Sequence, residues 1–199
     1  MLSHLRASLV MLTLFTLLTG LIYPLAITGV AKLAFPAKAE GSLIERNGKI
    51  LGSELIGQNF VAERYFHSRP SATSAPDPAD ATKTVDAPYN AANFGGSNLG
   101  PTSKKLFDRV EAAIEAGVAE GRLWDVPADS VTTSGSGLDP HVSPTYALMQ
   151  VSAVAKARNI SEARLRALVE EQVEPRLIGI IGEPRVNVLL LNVALDGLK

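Results

Sequence analysis

Cysteine is absent from this chain of 199 residues, and histidine occurs only three times. Without cysteine there are no disulfides, no thiolate metal sites and no thiol nucleophile, and the redox compartment stays undetermined. His4, His67 and His141 have no histidine partner four residues away, so the helical zinc pattern is missing. Lys and Arg number 19 against 20 Asp and Glu, a balance that does not favour nucleic-acid binding. We expect no metal, no tightly bound cofactor and no nucleic-acid partner.

Charge is also absent from residues 7–31, between Arg6 and Lys32. At about 1.5 Å of rise per residue, a helix over this run would cover the roughly 30 Å hydrocarbon core of a bilayer. We therefore expect a short tail at 1–6, a transmembrane helix at 7–31 and a soluble domain at 32–199. The lipid bilayer is the first expected partner.

A cleaved signal peptide is the alternative interpretation of this run. Ala37, Lys38 and Ala39 match the A-x-A cleavage pattern. The apolar core of a signal peptide, however, is typically about 7–15 residues long, and the run here is much longer, which favours a retained anchor. Basic residues flank the run on both sides, so charge alone leaves the orientation of the anchor open.

Two features inside the anchor bear on its shape and its neighbours. Pro24 lacks a backbone amide and crowds the preceding turn, so we expect a kink there. Thr16 and Gly20 form a small-x-x-x-small pair, which would let another helix approach closely. With Tyr23 and Pro24, they are our candidate partner-binding residues in the membrane.

The rest of the chain predicts a small α/β domain. Asn47-Gly48 lies between apolar flanks and predicts a hairpin over residues 42–51. Residues 67–102 are rich in Pro, Ala, Ser, Asn and Gly and predict a long loop, which is typical of function or disorder.

Helical periodicity follows that loop. Leu106, Val110 and Ile114 predict a helix over Lys104–Ala119. Ser143 and Pro144 predict the start of a second helix that ends near Asn159. Ser161 predicts the cap of a third helix, which Pro175 would stop. Residues 185–195 are apolar and rich in β-branched side chains, so we interpret them as a buried strand.

The stretch VTTSGSGLDPHVSP, residues 131–144, holds Ser136, Asp139 and His141 close together. These residue types suggest a membrane-anchored exported hydrolase with Ser136 as nucleophile. The spacing does not support it, because the G-x-S-x-G elbow would need glycines where Ser134 and Leu138 stand. Turn chemistry explains the loop more simply, since glycines permit positive φ and Asp139 precedes a proline.

A second glycine-rich stretch, GGSNLGPT at residues 95–102, has the G-x-x-x-x-G spacing of a phosphate-binding loop. Pro101 stands where that motif requires lysine, so the stretch is not a Walker loop. Both glycine turns precede predicted helices, and bare amides at such a turn can hold a phosphate without side-chain charge. A structural turn and an anion site both remain open.

Seven blocks of the sequence together resemble the C subunit of the Kdp potassium-transporting ATPase. Their order is that of the family, and they extend from the anchor to the last apolar segment. They are TGLIYP (19–24), GSLI (41–44), GSELIGQ (52–58), YFHSRPSA (65–72), GGSNLGP (95–101), VTTSGSGLDP (131–140) and RVN (185–187) with Leu191-Asn192.

The resemblance implies an accessory, non-catalytic subunit of an ATP-driven potassium importer in a bacterial inner membrane. The implied partners are a potassium-channel-like A subunit, a P-type ATPase B subunit and a small F subunit. The family's C subunit is a single-span protein that is held to support ATP use by the pump subunit, as a catalytic chaperone. Its soluble domain is held to lie on the periplasmic side.

The resemblance also implies site residues. The family's proposed nucleotide contacts lie in the SGSGLDP loop and at a following glutamine. Here these are Ser134, Gly135, Ser136, Gly137, Leu138, Asp139 and Gln150. The family commonly continues with proline and arginine after that glutamine, whereas this chain has Ser152 and Ala153. Candidate partner-binding residues outside the membrane are Arg69, Gly95, Gly96, Ser97 and Asn98.

Overall fold

The computed structural model describes residues 2–119 and 126–198. Contacts between Cα atoms divide the chain into two compact units, residues 1–53 and residues 54–199. The first unit holds the apolar helix and a β-hairpin, and the second holds the hydrophobic core. One long apolar helix followed by small helices and short sheets confirms the predicted fold class, a mixed α/β protein with an N-terminal membrane-type helix.

The apolar helix is continuous from His4 to Ala34, and none of its residues is buried within the chain. Its segments are α1 (Leu2–Leu17), a π-helical turn (Leu18–Ile22) and α2 (Tyr23–Ala34). The amide of Tyr23 donates to the carbonyl of Leu18, five residues back, directly before Pro24. The expected disturbance at Pro24 is therefore a wider turn, in which the missing proline amide is accommodated. A short helix α3 (Pro36–Ala39) follows.

A β-hairpin completes the first unit, as the Asn-Gly pair predicts. Strands β1 (Leu43–Arg46) and β2 (Lys49–Ser53) pair antiparallel, with a bulge between Ile44 and Glu45. Asn47 has φ of 54° and Gly48 has φ of 74°, which are the two left-handed positions of a tight hairpin turn.

Residues 67–102 contain regular secondary structure, although their sequence has little periodicity. They contain a second hairpin, β3 (Ser74–Pro76) with β4 (Thr84–Asp86), and a 3₁₀ turn at Ala91–Asn93. Thr73 organises it: its hydroxyl donates to Ala87 O at 2.6 Å and accepts from Asn90 N at 3.0 Å. Side-chain hydrogen bonds to the backbone fix this segment, and such bonds leave no hydrophobic pattern in the sequence.

The predicted helices are present in the second unit. They are α4 (Lys104–Ala119), α6 (Pro144–Met149), α7 (Val151–Arg158) and α8 (Glu162–Glu171), with a short α5 (Ala128–Val131) before them. Ser143 and Ser161 cap α6 and α8 as expected, each accepting from an amide three residues on. The second predicted helix is broken at Gln150, and α7 ends at the left-handed Asn159.

The interpretation of residues 185–195 as a strand is wrong beyond Asn187. Strand β7 (Arg185–Asn187) is central in a three-stranded antiparallel sheet, between β5 (His141–Val142) and β6 (Val173–Glu174). The chain then turns into α9 (Val188–Gly197), whose first turn Asn187 caps by accepting from Leu190 N at 3.2 Å. The buried positions 188, 191, 192 and 195 follow a helical period, which outweighs the β-branched composition.

The hydrophobic core lies among α6, α7, α8, α9 and the small sheet. Leu165, Val169, Val186, Leu191 and Leu195 are fully buried there. Phe66, from the loop just before Arg69, is also fully buried and reaches this core from a distant part of the sequence. The core thus joins this loop to four helices and the small sheet.

Candidate functional site

Two buried side-chain amides hold the loop that carries Phe66 and His67. Asn192 accepts from Phe66 N and donates to Phe66 O, both at 2.9 Å. Gln150 accepts from His67 N at 2.7 Å and donates to His67 O at 3.2 Å. Each amide pairs with one residue's backbone as a neighbouring strand would. The stretch YFHSRPSA is therefore fixed to α9 and to the break before α7.

The SGSGLDP loop is tightly hydrogen-bonded within itself. The hydroxyl of Ser134 accepts from Gly137 N at 2.9 Å, and that of Ser136 accepts from Leu138 N at 3.1 Å. A carboxylate oxygen of Asp139 accepts from His141 N at 3.0 Å. The loop then enters strand β5 rather than a helix, which corrects the expectation that a helix N-terminus follows it directly.

Four of the blocks that carry the family resemblance meet at this loop. Gly57 N donates to Leu138 O at 2.8 Å, and Gly95 N donates to Ser136 O at 2.9 Å. The Ser71 hydroxyl donates to Gly137 O at 2.7 Å. We call this meeting point the glycine junction. Its members are residues 134–140, Gly57, Arg69, Ser71, Gly95 and Gly96.

Glycines let the backbones of the junction approach each other closely. A Cβ on Gly137 would lie 2.5 Å from Thr73 Cγ2 and 2.9 Å from Gly95 O. A Cβ on Gly96 would lie 2.9 Å from Gly135 O. Gly137 also has φ of 69°, where a side chain is strained. The two glycine-rich stretches that resemble phosphate loops thus pack against each other.

Arg69 supplies the cation of the junction. Its Nη1 lies 3.2 Å from Asp139 Oδ2, and its Nη2 reaches Thr132 Oγ1 at 3.4 Å. The side chain is only 22% exposed, so this pair is partly shielded from solvent. Arg69 lies in the YFHSRPSA stretch, and its ion pair with Asp139 links that stretch to the SGSGLDP loop.

The pKa values of Asp139 in the junction and of Tyr89 beside it are shifted from their ordinary values. Burial would raise the pKa of Asp139, but hydrogen bonds from the His141 ring and amide and the charge of Arg69 outweigh it and lower that pKa. Burial raises the pKa of Tyr89 to about 12. The Tyr89 hydroxyl donates to Arg69 O at 2.8 Å. At neutral pH Asp139 is therefore a carboxylate and Tyr89 a protonated phenol.

The geometry of a serine-histidine-aspartate triad is not formed. Both ring nitrogens of His141 face carboxylates, with Nδ1 3.3 Å from Asp139 and Nε2 3.8 Å from Glu174. A triad histidine instead presents its second nitrogen to the nucleophile. Ser136 uses its hydroxyl oxygen as an acceptor for Leu138 N. The arrangement does not support the hydrolase hypothesis.

The residues predicted to contact nucleotide are divided between surface and interior. Gly135 and Ser136 are exposed, whereas Ser134, Gly137 and Gln150 are buried. The Gln150 amide and the amides of Gly137 and Leu138 are occupied by partners within the protein. These groups therefore do not make a preorganised phosphate cradle. Direct nucleotide contact stays a prediction.

The predicted partner-binding residues lie in three places. Thr16, Gly20, Tyr23 and Pro24 are exposed on the apolar helix, and a Cβ on Gly20 would meet no atom within 4 Å. Gly95, Gly96 and Ser97 are half-buried at the junction and Asn98 is exposed. Arg69 is engaged inside the junction. Their role in binding partners stays a prediction.

Four residues that contribute to the site were not predicted as site residues from the sequence. Gly57, Ser71, Tyr89 and Asn192 hold the junction or its supporting loop. Three of them, Gly57, Ser71 and Asn192, lie inside blocks that carry the resemblance. Tyr89 offered no signal in the sequence, because its left-handed φ of 61° and the hydrogen bond of its hydroxyl to Arg69 O appear only in the fold.

Within residues 2–119 and 126–198, one long apolar helix without buried residues precedes a small α/β unit, which is the architecture of a single-pass membrane protein. The chain matches the family model described as K⁺-transporting ATPase, c chain, over residues 5–197. It therefore belongs to that family, and the sequence-based identification is confirmed.

Curated relatives agree with the family model. A protein of Methylobacterium nodulans is 63% identical over 198 residues, which are 100% of this chain and 98% of the relative. A protein of Bradyrhizobium diazoefficiens is 59% identical over 98% of both chains. One from Rhodopseudomonas palustris is 58% identical over the full length of both. Each bears the name potassium-transporting ATPase KdpC subunit.

Proposed function

We propose that this chain is the accessory C subunit of an ATP-driven, high-affinity potassium import complex. The observation that carries the proposal is the family match over residues 5–197, which includes both the apolar helix and the α/β unit. The helix supplies a tether in the lipid, and the second unit supplies a rigid body that a larger assembly uses.

The proposed partners are a channel-like A subunit, a P-type ATPase B subunit and a small F subunit. We place the helix in a bacterial inner membrane and the α/β unit on its periplasmic side. The support is the family resemblance together with the exposed helix, since an apolar helix with 0% of its span buried needs lipid or another helix around it.

The proposed role is to assemble and stabilise the complex and to support ATP use by the pump subunit, without catalysis by this chain. Two observations favour this role over an enzymatic one. Both nitrogens of His141 face carboxylates rather than a nucleophile. The side chains of Arg69, Ser71 and Ser134 form hydrogen bonds to other groups of the glycine junction, as in a structural element.

Deletion of the chain tests the proposal. In cells that depend on this importer, we expect loss of growth at limiting potassium and loss of potassium-stimulated ATPase activity, and both should return with the wild-type gene. Purification of the remaining subunits shows whether assembly also fails. Normal growth and an intact, active complex after deletion would refute the proposal.

Topology is tested separately. A reporter enzyme that is active only outside the cytoplasm, fused after Lys199, should be active. A matched fusion of a reporter that works only in the cytoplasm should be silent. The opposite pattern would refute the periplasmic placement and would make direct contact with ATP the preferred role.

A further inference from the structure

The residues that follow the membrane-type helix differ in charge from the rest of the chain. Residues 32–53 contain four basic residues and two acidic ones, whereas residues 54–199 contain more acidic than basic residues. The basic residues are Lys32, Lys38, Arg46 and Lys49, and the acidic ones are Glu40 and Glu45. We call residues 32–53 the basic segment. Its net positive charge lies directly beside the end of the uncharged helix.

Hydrogen bonds and a short connection hold the basic segment near that helix. Phe35 N donates to Ala31 O at 2.8 Å, which continues the helical bonding past the end of α2. The Ser53 hydroxyl donates to Gly41 O at 2.7 Å and closes the base of the β1–β2 hairpin. Residues 35–42 separate α2 from β1, and a chain of that length reaches at most about 29 Å even when extended. The hairpin therefore stays close to the bilayer that holds the helix.

Two cations face each other at the tip of this hairpin. In the antiparallel register Arg46 lies directly opposite Lys49 across the turn, and both residues are exposed. Like charges in opposite positions destabilise a pair of strands. Glu45, the neighbouring acidic residue, lies opposite Ile50 instead. An anionic group from outside the chain would relieve the repulsion, and a guanidinium beside an ammonium is a typical set of donors for phosphate.

The hairpin presents apolar side chains along with these cations. Leu43 is 50% exposed and Ile50 is 60% exposed, and Phe35, between the helix and the hairpin, is 62% exposed. Within the residues that the structure describes, β1 and β2 pair only with each other and contribute nothing to the hydrophobic core cluster. An isolated hairpin of two strands is only marginally stable in water. Basic and apolar side chains presented together are typical of elements that lie in a membrane interface.

We propose that the basic segment binds the anionic phospholipid headgroups of the membrane in which the helix is anchored. Arg46 and Lys49 contact the headgroup phosphates, and Leu43, Ile50 and Phe35 enter the interface beside them. Charge selects this occupant, because an anionic headgroup layer attracts basic residues that lie next to a membrane span. The inference needs the single-pass architecture alone and does not depend on the proposed role in potassium import.

The full chain in lipid vesicles tests the inference. Because the chain contains no cysteine, Leu51→Cys places a single environment-sensitive fluorophore on β2, where Leu51 is 38% exposed. Val61→Cys, at a residue of the second unit that is 75% exposed, is the control. The vesicles contain phosphatidylcholine alone or with increasing phosphatidylglycerol. We expect a blue shift of the emission at position 51 that grows with phosphatidylglycerol and decreases at high salt, which screens such attraction. Position 61 should respond to neither.

Substitution of the two opposed cations gives the second test. From the blue shift we take the docking equilibrium, which is the ratio of membrane-bound to free hairpin. Each cation near an anionic surface contributes about fivefold, so Arg46→Gln with Lys49→Gln should lower this equilibrium about thirtyfold. Lys83→Gln with Lys156→Gln makes the same change of charge at exposed positions of the second unit and should leave it unchanged.

Several outcomes would overturn the inference. They are a blue shift that is complete in phosphatidylcholine alone, a shift that inorganic phosphate produces without phosphatidylglycerol, and equal losses in the two double variants. A shift that depends on the density of the chain in the vesicle, and not on phosphatidylglycerol, would instead assign the hairpin to a second copy. Circular dichroism checks that each variant is folded, and the salt dependence of the chain with both cations in place tests the inference without their substitution.

Discussion

Asn192 and Phe66 form a reciprocal pair of hydrogen bonds, with both nitrogen-to-oxygen distances at 2.9 Å. Asn192 is 2% exposed and Phe66 is fully buried. The amide substitutes for a neighbouring strand and fixes a loop residue in the core. Gln150 repeats the arrangement at His67, one residue further along the chain.

The first prediction concerns this pair. Asn192→Leu keeps the approximate volume but leaves Phe66 N and O without partners in the core. Each buried group without a partner costs about 1–3 kcal/mol, so the free energy of unfolding should fall by roughly 2–6 kcal/mol. Chemical denaturation of the full chain in detergent measures it. Ser152→Leu, at an exposed helical position, is the control and should change it by about 0.5 kcal/mol or less.

The second prediction separates two glycines of one loop. In Gly137→Ala the added methyl meets Thr73 and Gly95 at a φ of 69°. The left-handed backbone costs about 1–2 kcal/mol and the overpacking about 1–3 kcal/mol, so we expect a loss of about 2–5 kcal/mol. In Gly135→Ala the methyl meets nothing within 4 Å, and the change should be about 0.5 kcal/mol or less. Equal losses in both variants would contradict the close packing of the junction.

The third prediction is a pH dependence from Asp139. Its pKa in the folded chain lies below the ordinary 3.8. Its ionised form therefore stabilises the fold at pH values above 3.8, and this contribution is lost as the pH falls through the lower folded pKa.

The test compares wild type with Asp139→Asn over a series of pH values. The difference in free energy of unfolding should be constant near pH 6, and it should shrink as the pH falls below about 4. Because the other carboxyl groups are the same in both chains, the difference isolates Asp139. A difference that does not change with pH would show that the pKa of Asp139 is not lowered in the folded chain.

The fourth prediction concerns Ser136, the nucleophile of the hydrolase hypothesis. Ser136→Ala should leave potassium-limited growth and ATPase activity within about twofold of wild type, because the exposed hydroxyl makes one local bond, worth about 1 kcal/mol. Ser134→Ala, which removes the buried acceptor of Gly137 N, should destabilise the fold by about 1–3 kcal/mol. Loss of growth with Ser136→Ala in a folded chain would restore the catalytic interpretation.

Several elements could be predicted from short stretches of sequence. The Asn47-Gly48 turn, the caps at Ser143 and Ser161 and the helix Lys104–Ala119 all depend on residues within a few positions of one another. The prediction of a strand over residues 185–195 was wrong beyond Asn187, because the composition of this segment favours a strand although residues 188–197 form a helix. Its helical start depends on the Asn187 side chain, whose amide also donates to Glu54 O at 2.8 Å, 133 residues away.

The sequence predicted which stretches belong to the candidate site. It did not predict how these stretches pack against each other. The blocks of the resemblance named the SGSGLDP and GGSNLGP stretches, but not that their glycines pack against each other. The Arg69 partner could not be chosen from the sequence, since Asp139 is one of many carboxylates and lies 70 positions away. The exposure of Ser136 beside the burial of Ser134 likewise depends on that packing.

The sequence by itself determined the long uncharged helix, the local turns and caps, and membership of the c-chain family, because these follow from residue types and their order along the chain. The tertiary structure alone decided which distant groups meet. Arg69 with Asp139, Gln150 with His67 and Asn192 with Phe66 are separated by 70, 83 and 126 positions. Such pairs form only when the core brings them together, since a buried polar group must find a partner wherever the fold provides one.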